Sequence, residues 1–489
     1  MPSTFVALCW KEYRELRWNV LAMVGIGIAM PLYALMREGD TAFSWVIVML
    51  AVYSVIGGIC FGMWGAAGER ANRSASFVQA LPISPLVVGA IKLLILIIAA
   101  FVPILVLALL GMTLKPFAEN HVTNLPNIWF YAGCYFAIAI HIALTTATFG
   151  LGQRTELLAA GVGILALAIW GVCSILSNIA FQINGWGGPE PLMFLGPPIY
   201  LLLIPANPES NSWSLLPWIP LTVIAMVGLA GTFVTHYAAA IRPLQSKASA
   251  RAGLWISGQF ASPLASLVVK QLCETAPLVL LVLGSAILLS GGFGTVGEIL
   301  QPSNSNWVEN AGRLFVIFIF LGGFLLSLLL GVMAFAGDVE PKVNTFWRSR
   351  PISPTLWFWS KYLIAIGSLI GAIGLPAICC LCLIEYFGSG GHIPSELLIQ
   401  TCFVALGWFG IFSAGVLSTC IIRRPLHAGL LAFALAAVAL GAAQWIDPGW
   451  FGGQPLEHPL LVAGLWFSLS IAATLTAWWV AVRDVMAFQ

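Results

Sequence analysis

The sequence predicts an all-α polytopic membrane protein. About twelve transmembrane helices are expected, as two parallel six-helix repeats, each preceded by an interfacial amphipathic helix. Three observations predict it. First, 60% of the 489 residues are apolar and only 8% are charged. A soluble domain cannot stay dispersed on so few charges, whereas a bilayer removes the need for them. Second, the apolar residues fall into about twelve runs, each near the 20 or so residues that cross a hydrocarbon core of roughly 30 Å. Third, the polar stretch Gly68 to Lys92 recurs without a gap from Gly337 to Lys361. Gly68 faces Gly337, Glu69 faces Asp338, Phe77 faces Phe346, and Lys92 faces Lys361. Between them Pro82-Ile83-Ser84-Pro85 faces Pro351-Ile352-Ser353-Pro354.

The elements follow in chain order. Residues 4 to 17 place Phe5, Leu8, Cys9 and Leu16 on one helical face, with Trp10 near its edge, and crowd Lys11, Glu12, Arg14, Glu15 and Arg17 on the other. That pattern predicts a helix lying in the membrane interface without spanning it. Span one runs from Trp18 to Met36, span two from Phe43 to Ala67, and the first copy of the repeated loop comes next. Span three runs from Leu86 to Leu114, with Pro103 as an expected kink. Spans four and five cover Ile128 to Gly152 and Leu157 to Phe181. The segment Gln182 to Leu216 is rich in Gly, Pro and Asn. Its apolar core, Leu192 to Ile204, is broken by Pro197 and Pro198 and is too short to cross, so it is expected to dip back from the outer face. Span six runs from Pro217 to Ala240.

Residues 1–241 therefore form the first half, 242–262 a basic cytosolic linker, and 263–489 the second half. The second half opens on another amphipathic stretch, Pro263 to Thr275, in which Lys270 and Glu274 match Lys11 and Glu15. Six spans follow: Ala276–Phe293, Gly312–Ala336, Thr355–Ile384, Leu397–Ile422, Pro425–Ile446 and Leu460–Val482. With the opening helix in the cytosol, only Arg37, Lys115 and Arg313 of the 21 Lys and Arg fall outside, a strong positive-inside bias. Both termini and both copies of the loop are then cytosolic. An even number of spans gives the two halves the same orientation, with the expected path between them. Arg154 and Arg423 keep the spacing that relates Gly68 to Gly337, which extends the repeat beyond the loop.

Phe77 and Leu81, four residues apart, share a face if the loop is helical, and the following Leu-Pro and Pro85 would end that helix as a short, stiff lever. The loops resemble those of the type-2 ATP-binding-cassette (ABC) exporter permeases. In that family the loop after span two carries an acidic residue, then Leu-Pro-(Val/Ile)-Ser, then a Lys. Here those are Glu69, Leu81-Pro82-Ile83-Ser84 and Lys92, and in the second half Asp338, Arg350-Pro351-Ile352-Ser353 and Lys361. Arg350 departs from the family's Leu. The resemblance covers both halves. It implies a transport subunit whose two loops dock on a separate cytosolic ATPase, in two copies, with ATP and Mg bound by that partner and no cofactor on this chain. It also implies an outer gate at the Pro197-Pro198 segment.

Absences fit this picture. No G-x-x-x-x-G-K-[ST] string occurs, so ATP is not bound through a P-loop, and no Ser-His-Asp or HExxH arrangement appears, so the chain is not read as an enzyme. A net charge of +2 does not point to nucleic acid. The Cys379-Cys380-Leu381-Cys382 cluster has no His or carboxylate beside it and is read as apolar packing, not a metal site. Charged residues up to Arg17 with no cleavage site oppose a cleaved signal peptide. The alternative function is a twelve-span secondary transporter, opposed by the missing carboxylates at span centres and by the amphipathic stretch that opens each half. A lipid-modifying enzyme would need a catalytic cluster, and none is seen. The expected location is a plasma (inner) membrane, in contact with its lipids. Lys92 and Lys361 are expected to snorkel to the interface, and His141 to bond a neighbouring helix.

Overall fold

A computed structural model describes residues 4–37, 42–71, 78, 83–119, 127–151, 153, 158–170, 218–241, 263–300, 315, 322–336, 353–379, 382, 395–422, 425–446 and 459–486. Among these residues the fold is helical, with no strand. The helices are α1 (Thr4–Arg37), α2 (Ala42–Ala71), α3 (Pro85–Glu119), α4 (Ile128–Gly150), α5 (Leu158–Trp170), α6 (Trp218–Ile241) and α7 (Pro263–Leu300). After them come α8 (Gly322–Ala336), α9 (Pro354–Leu369), α10 (Ser395–Ile421), α11 (Pro425–Ile446) and α12 (Pro459–Met486). Eight are long and apolar enough to cross a membrane: α1, α2, α3, α4, α6, α7, α10 and α12. The chain is an all-α polytopic membrane protein. The segment Gln182 to Leu216 and the linker 242–262 lie outside the described residues.

Contacts divide the chain into two compact units, Met1–Ala248 and Ser249–Gln489. In the first, α2 packs on α4, α3 and α1, and α6 closes against α3 and α4. The α2–α4 seam is built from small residues. A Cβ on Gly58 would lie 2.9 Å from the Ala139 carbonyl oxygen, and one on Gly62 would lie 2.7 Å from that of Ala143. Within a bilayer no hydrophobic force presses helices together, so such close backbone approach supplies the packing. At the α3–α6 contact, Gly89 leaves room for Tyr237, whose ring would lie 3.1 Å from an added Cβ.

In the second unit α10 packs on α12 and α11, and α9 on α7 and α12. A Cβ on Gly331 of α8 would lie 2.4 Å from the Phe412 carbonyl oxygen and 3.2 Å from Gly415 Cα. Gly331 stands to Gly62, Phe412 to Ala143 and Gly415 to Thr146 at the spacing that relates Gly337 to Gly68. Tyr362 of α9 ties three helices: its hydroxyl lies 3.2 Å from Ser413 Oγ and 2.9 Å from Thr474 Oγ1, and Thr474 donates to Ser413 at 3.1 Å. Helix α9 passes into a π turn at Ile370–Gly374, where the Leu375 N–H bonds the Ile370 carbonyl. Pro376 follows with no N–H to give, which is where a widened turn costs least.

The opening of each unit differs from the expectation. No break separates an interfacial helix from the first span: α1 is continuous from Thr4 to Arg37, and α7 from Pro263 to Leu300. No Gly or Pro falls between Arg17 and Trp18 or nearby, so nothing in the chain stops the helix there. The face that turns inward also differs. Leu8 and Leu16 are buried as expected, but Glu12 between them is only 1% exposed, while Trp10, at 60%, and Tyr13 point outward. In a membrane the arrangement is economical: aromatic rings suit the lipid interface, and a carboxylate such as Glu12 is kept inside protein where partners can meet it.

Candidate functional site

Glu12 of α1 is buried, and Lys11 and Glu15 are half-buried, against partners that stand on three other helices. Glu69 sits at the last turns of α2 and is 4% exposed. The Tyr237 hydroxyl of α6 donates a short hydrogen bond to Glu69 Oε2. Lys92 of α3 places its Nζ 3.4 Å from Glu69 Oε1, and Lys11 of α1 places its own at 3.5 Å. Lys11 also pairs with Glu12 at 2.9 Å and Glu15 at 3.9 Å. The Lys92 ammonium lies 4.8 Å from the centre of the Trp64 ring and 5.3 Å from that of Tyr237. Trp64 in turn donates through Nε1 to Glu15 Oε2 at 3.4 Å. Three carboxylates and two ammonium groups thus share one site where α1, α2, α3 and α6 meet.

Elementary electrostatics explains why these groups stay together. A lone charge withdrawn from water costs several kcal/mol, and removing one member of a buried pair typically costs about 3–5 kcal/mol. Each ammonium faces at least one carboxylate, and Lys92 adds two aromatic faces. Lys92 is 1% exposed, so it does not snorkel; its ammonium is enclosed by Trp64, Tyr237 and Glu69, which supplies the charge that water would have supplied. Lys361 is also 1% exposed, and its Nζ donates to the Ala334 carbonyl at 3.0 Å and lies 5.7 Å from the Trp357 ring centre. In α7, Gln271 and Leu267 are each 1% exposed, the places that Glu12 and Leu8 hold in α1, and Lys270 pairs with Glu274 at 3.6 Å.

The loops themselves are partly described. Val78 is buried and Ile83 half-buried, both in an apolar cluster with Leu8, Val88, Ile91, Phe233 and Tyr237. Ile83 thus packs against apolar side chains beside the charge cluster. Ser84 and Ser353 have a defined local task. Each is exposed and caps the helix that begins at the next residue: Val87 N–H lies 3.4 Å from Ser84 Oγ, and Leu356 N–H 3.2 Å from Ser353 Oγ. With Pro85 and Pro354 as the first helical residues, each Ser-Pro pair is a helix start. Phe77, Leu81, Pro82, Asp338, Phe346, Arg350, Pro351, Ile352 and the gate residues Pro197 and Pro198 lie outside the described residues.

Of the residues picked from the sequence, Glu69 holds the centre. Glu12, Lys11, Lys92, Trp64 and Tyr237 were not picked as site residues. One signal for Glu12 was present, since it sits four residues from both Leu8 and Leu16 and so shares their face. Tyr237 gives no such signal, because only the fold brings α6 to α2. The cluster joins four helix ends to the start of the loop after α2. No protein-family model matches the chain, and no curated relative matches it.

Proposed function

We propose that the chain is the transmembrane subunit of an ABC exporter, with two six-span halves fused in one polypeptide and both termini in the cytosol. It moves its cargo with ATP hydrolysed by a separate cytosolic subunit, bound in two copies, and has no ATPase site of its own. The observation that carries this reading is the gapless pair of loops, Gly68–Lys92 and Gly337–Lys361, each leading through Ser-Pro into a capped helix. The burial of Glu69 among Lys92, Lys11 and Tyr237 supports it, because a loop rooted in such a cluster transmits a push. In this reading closure of the partner drives both loops and moves the halves between inward-open and outward-open states.

The experiment is removal of the matching aromatic contacts. Burying an aromatic ring against a partner contributes on the order of 2 kcal/mol. Phe77→Ala together with Phe346→Ala should leave expression and membrane insertion near normal while co-purification of the ATPase and transport both fall. Each single change should do less. Wild-type co-purification and transport in the double variant would reject the docking role and favour the secondary transporter. ATP hydrolysis by the purified chain alone would reject the division of labour. For the outer gate, a cysteine at Pro198, in a background without native cysteines, should react with an impermeant thiol reagent added outside; labelling only from the cytosolic side would reject that placement.

A further inference from the structure

Helix α4 carries four buried polar side chains, each with an atom that has no hydrogen bond among the described residues. His141 is 2% exposed, Thr145 and Thr146 0%, and Thr148 7%. His141 Nε2 and the three threonine hydroxyls have no partner among the described residues. Native interiors rarely leave such groups unpaired, and each one asks for a cause. Helical geometry is not the cause here. Thr232, Thr235, Thr275, Thr419, Thr474 and Thr476 all bond the carbonyl four residues back. The α4 threonines have the same option and do not use it.

Their arrangement is that of a wall. His141, Thr145 and Thr148 follow at intervals of four and three residues and so share one face, with Thr146 at its side. Two neighbouring helices cover Thr146 with glycine. A Cβ on Gly163 of α5 would lie 2.7 Å from Thr146 Oγ1, and one on Gly62 of α2 would lie 2.5 Å from Thr146 Cβ. Trp170 of α5 stands edge-on to the His141 ring, with centroids 4.8 Å apart. Glycine backbone thus closes over Thr146, and the Trp170 ring over His141. At the repeat's spacing the second unit has Gly410, Ala414, Gly415 and Leu417 instead, and the Trp466 ring fills the place beside Gly410, 2.6 Å from an added Cβ. At these four positions the second unit carries no polar side chain, although α10 buries Ser413, Ser418 and Thr419 elsewhere on its surface.

We propose that this face of α4 is a binding site for the head of a neutral, hydroxyl-bearing amphipath, entered as α5 parts from α4. Three hydroxyls and an imidazole offer donors and acceptors without a formal carboxylate or ammonium among them, and the span around them is apolar. A hydroxylated head satisfies the unpaired groups, an aliphatic tail suits the surroundings, and a permanent cation meets no counter-charge. The site needs no ATPase, so its test is independent of the transport reading.

The test uses the full chain in phosphatidylcholine nanodiscs. The probe is octyl glucoside with a photoreactive diazirine in its tail, and the control is octyltrimethylammonium with the same tail. Mass spectrometry should place the glucoside label on α4 or α5, between residues 141 and 170, with little label from the ammonium. Thr145→Val with His141→Leu should lower that labelling about tenfold, the loss of two hydrogen bonds, and Thr145→Ser should preserve it. Competition by diacylglycerol within the disc would identify a bilayer lipid as the natural occupant, and competition by octyl glucoside alone a molecule arriving from water; both support the site. Equal labelling by the two heads, or glucoside label confined to other helices of the wild-type chain, would overturn it. The wild-type experiment decides even if the double variant fails to fold.

Discussion

Glu69 and Lys92 are an ion pair inside protein, whereas Lys270 and Glu274 are a similar pair on a surface, at 34% and 45% side-chain exposure. The two should respond differently to the same substitution. Lys92→Met leaves a buried carboxylate with Lys11 as its remaining described cation and should cost about 3–5 kcal/mol. Lys270→Met should cost less than about 1 kcal/mol. Adding Glu69→Gln to Lys92→Met should cost less than the two single changes summed, because they share one interaction. Thermal melting of the detergent-solubilised chain, followed by its size-exclusion profile, reads all four; equal losses at Lys92 and Lys270 would show that burial is not what makes the first pair matter. The caps make a smaller claim. Ser84→Ala and Ser353→Ala should each destabilise by about 1 kcal/mol and Ser→Asp by far less, since a carboxylate also accepts from the first-turn amides. If alanine at both serines leaves melting unchanged, their side chains serve only the loop.

At the scale of elements, the decisive contacts are between backbones. Gly331→Ala would press a methyl group to 2.4 Å from the Phe412 carbonyl, and Gly62→Ala to 2.7 Å from that of Ala143. Both should destabilise by about 1–3 kcal/mol through overpacking. Gly25→Ala and Gly228→Ala meet nothing within 4 Å and should be neutral or stabilising by up to about 1 kcal/mol. Melting of the four variants separates a packing role from a general cost of altering membrane helices. These elements were legible in the sequence to different degrees. Long apolar runs with polar breaks gave the class and the places of α1 to α4, because hydropathy and length alone decide them. The opening helices run on into the spans, which their charged faces do not announce; in α1 that face carries Glu12 to the interior, whereas in α7 Lys270 and Glu274 stay at the surface. Glu69 stood out through its match with Asp338. Tyr237 and Trp64 did not, since their part is set by which helices meet, and no local pattern records that.

For the whole molecule, two features repeat at one spacing: the loops, and the glycine seams at Gly62 and Gly331. Where α4 has His141, Thr145, Thr146 and Thr148, the matching positions of α10 are Gly410, Ala414, Gly415 and Leu417, so the halves share a frame and differ in chemistry there. On the proposed orientation, an alkaline-phosphatase domain inserted between Pro116 and Asn127 should be active outside, whereas one joined after Gln489 should be inactive and a fluorescent protein there should glow. The opposite pattern would reverse the assignment of both loops to the cytosol. Helix α1 has a mechanical consequence. From Thr4 to the residue before Pro31 it has no proline, a stretch of roughly 40 Å at about 1.5 Å per residue. Its early turns are fastened at Lys11 to the carboxylate of Glu69. A beam of that stiffness does not bend to absorb a shove at one end. A rotation of about 5° around its middle carries the two ends some 2 Å in opposite directions, at the helical rise just given. The two ends of α1 would then move in opposite senses, with Glu69 holding the near one.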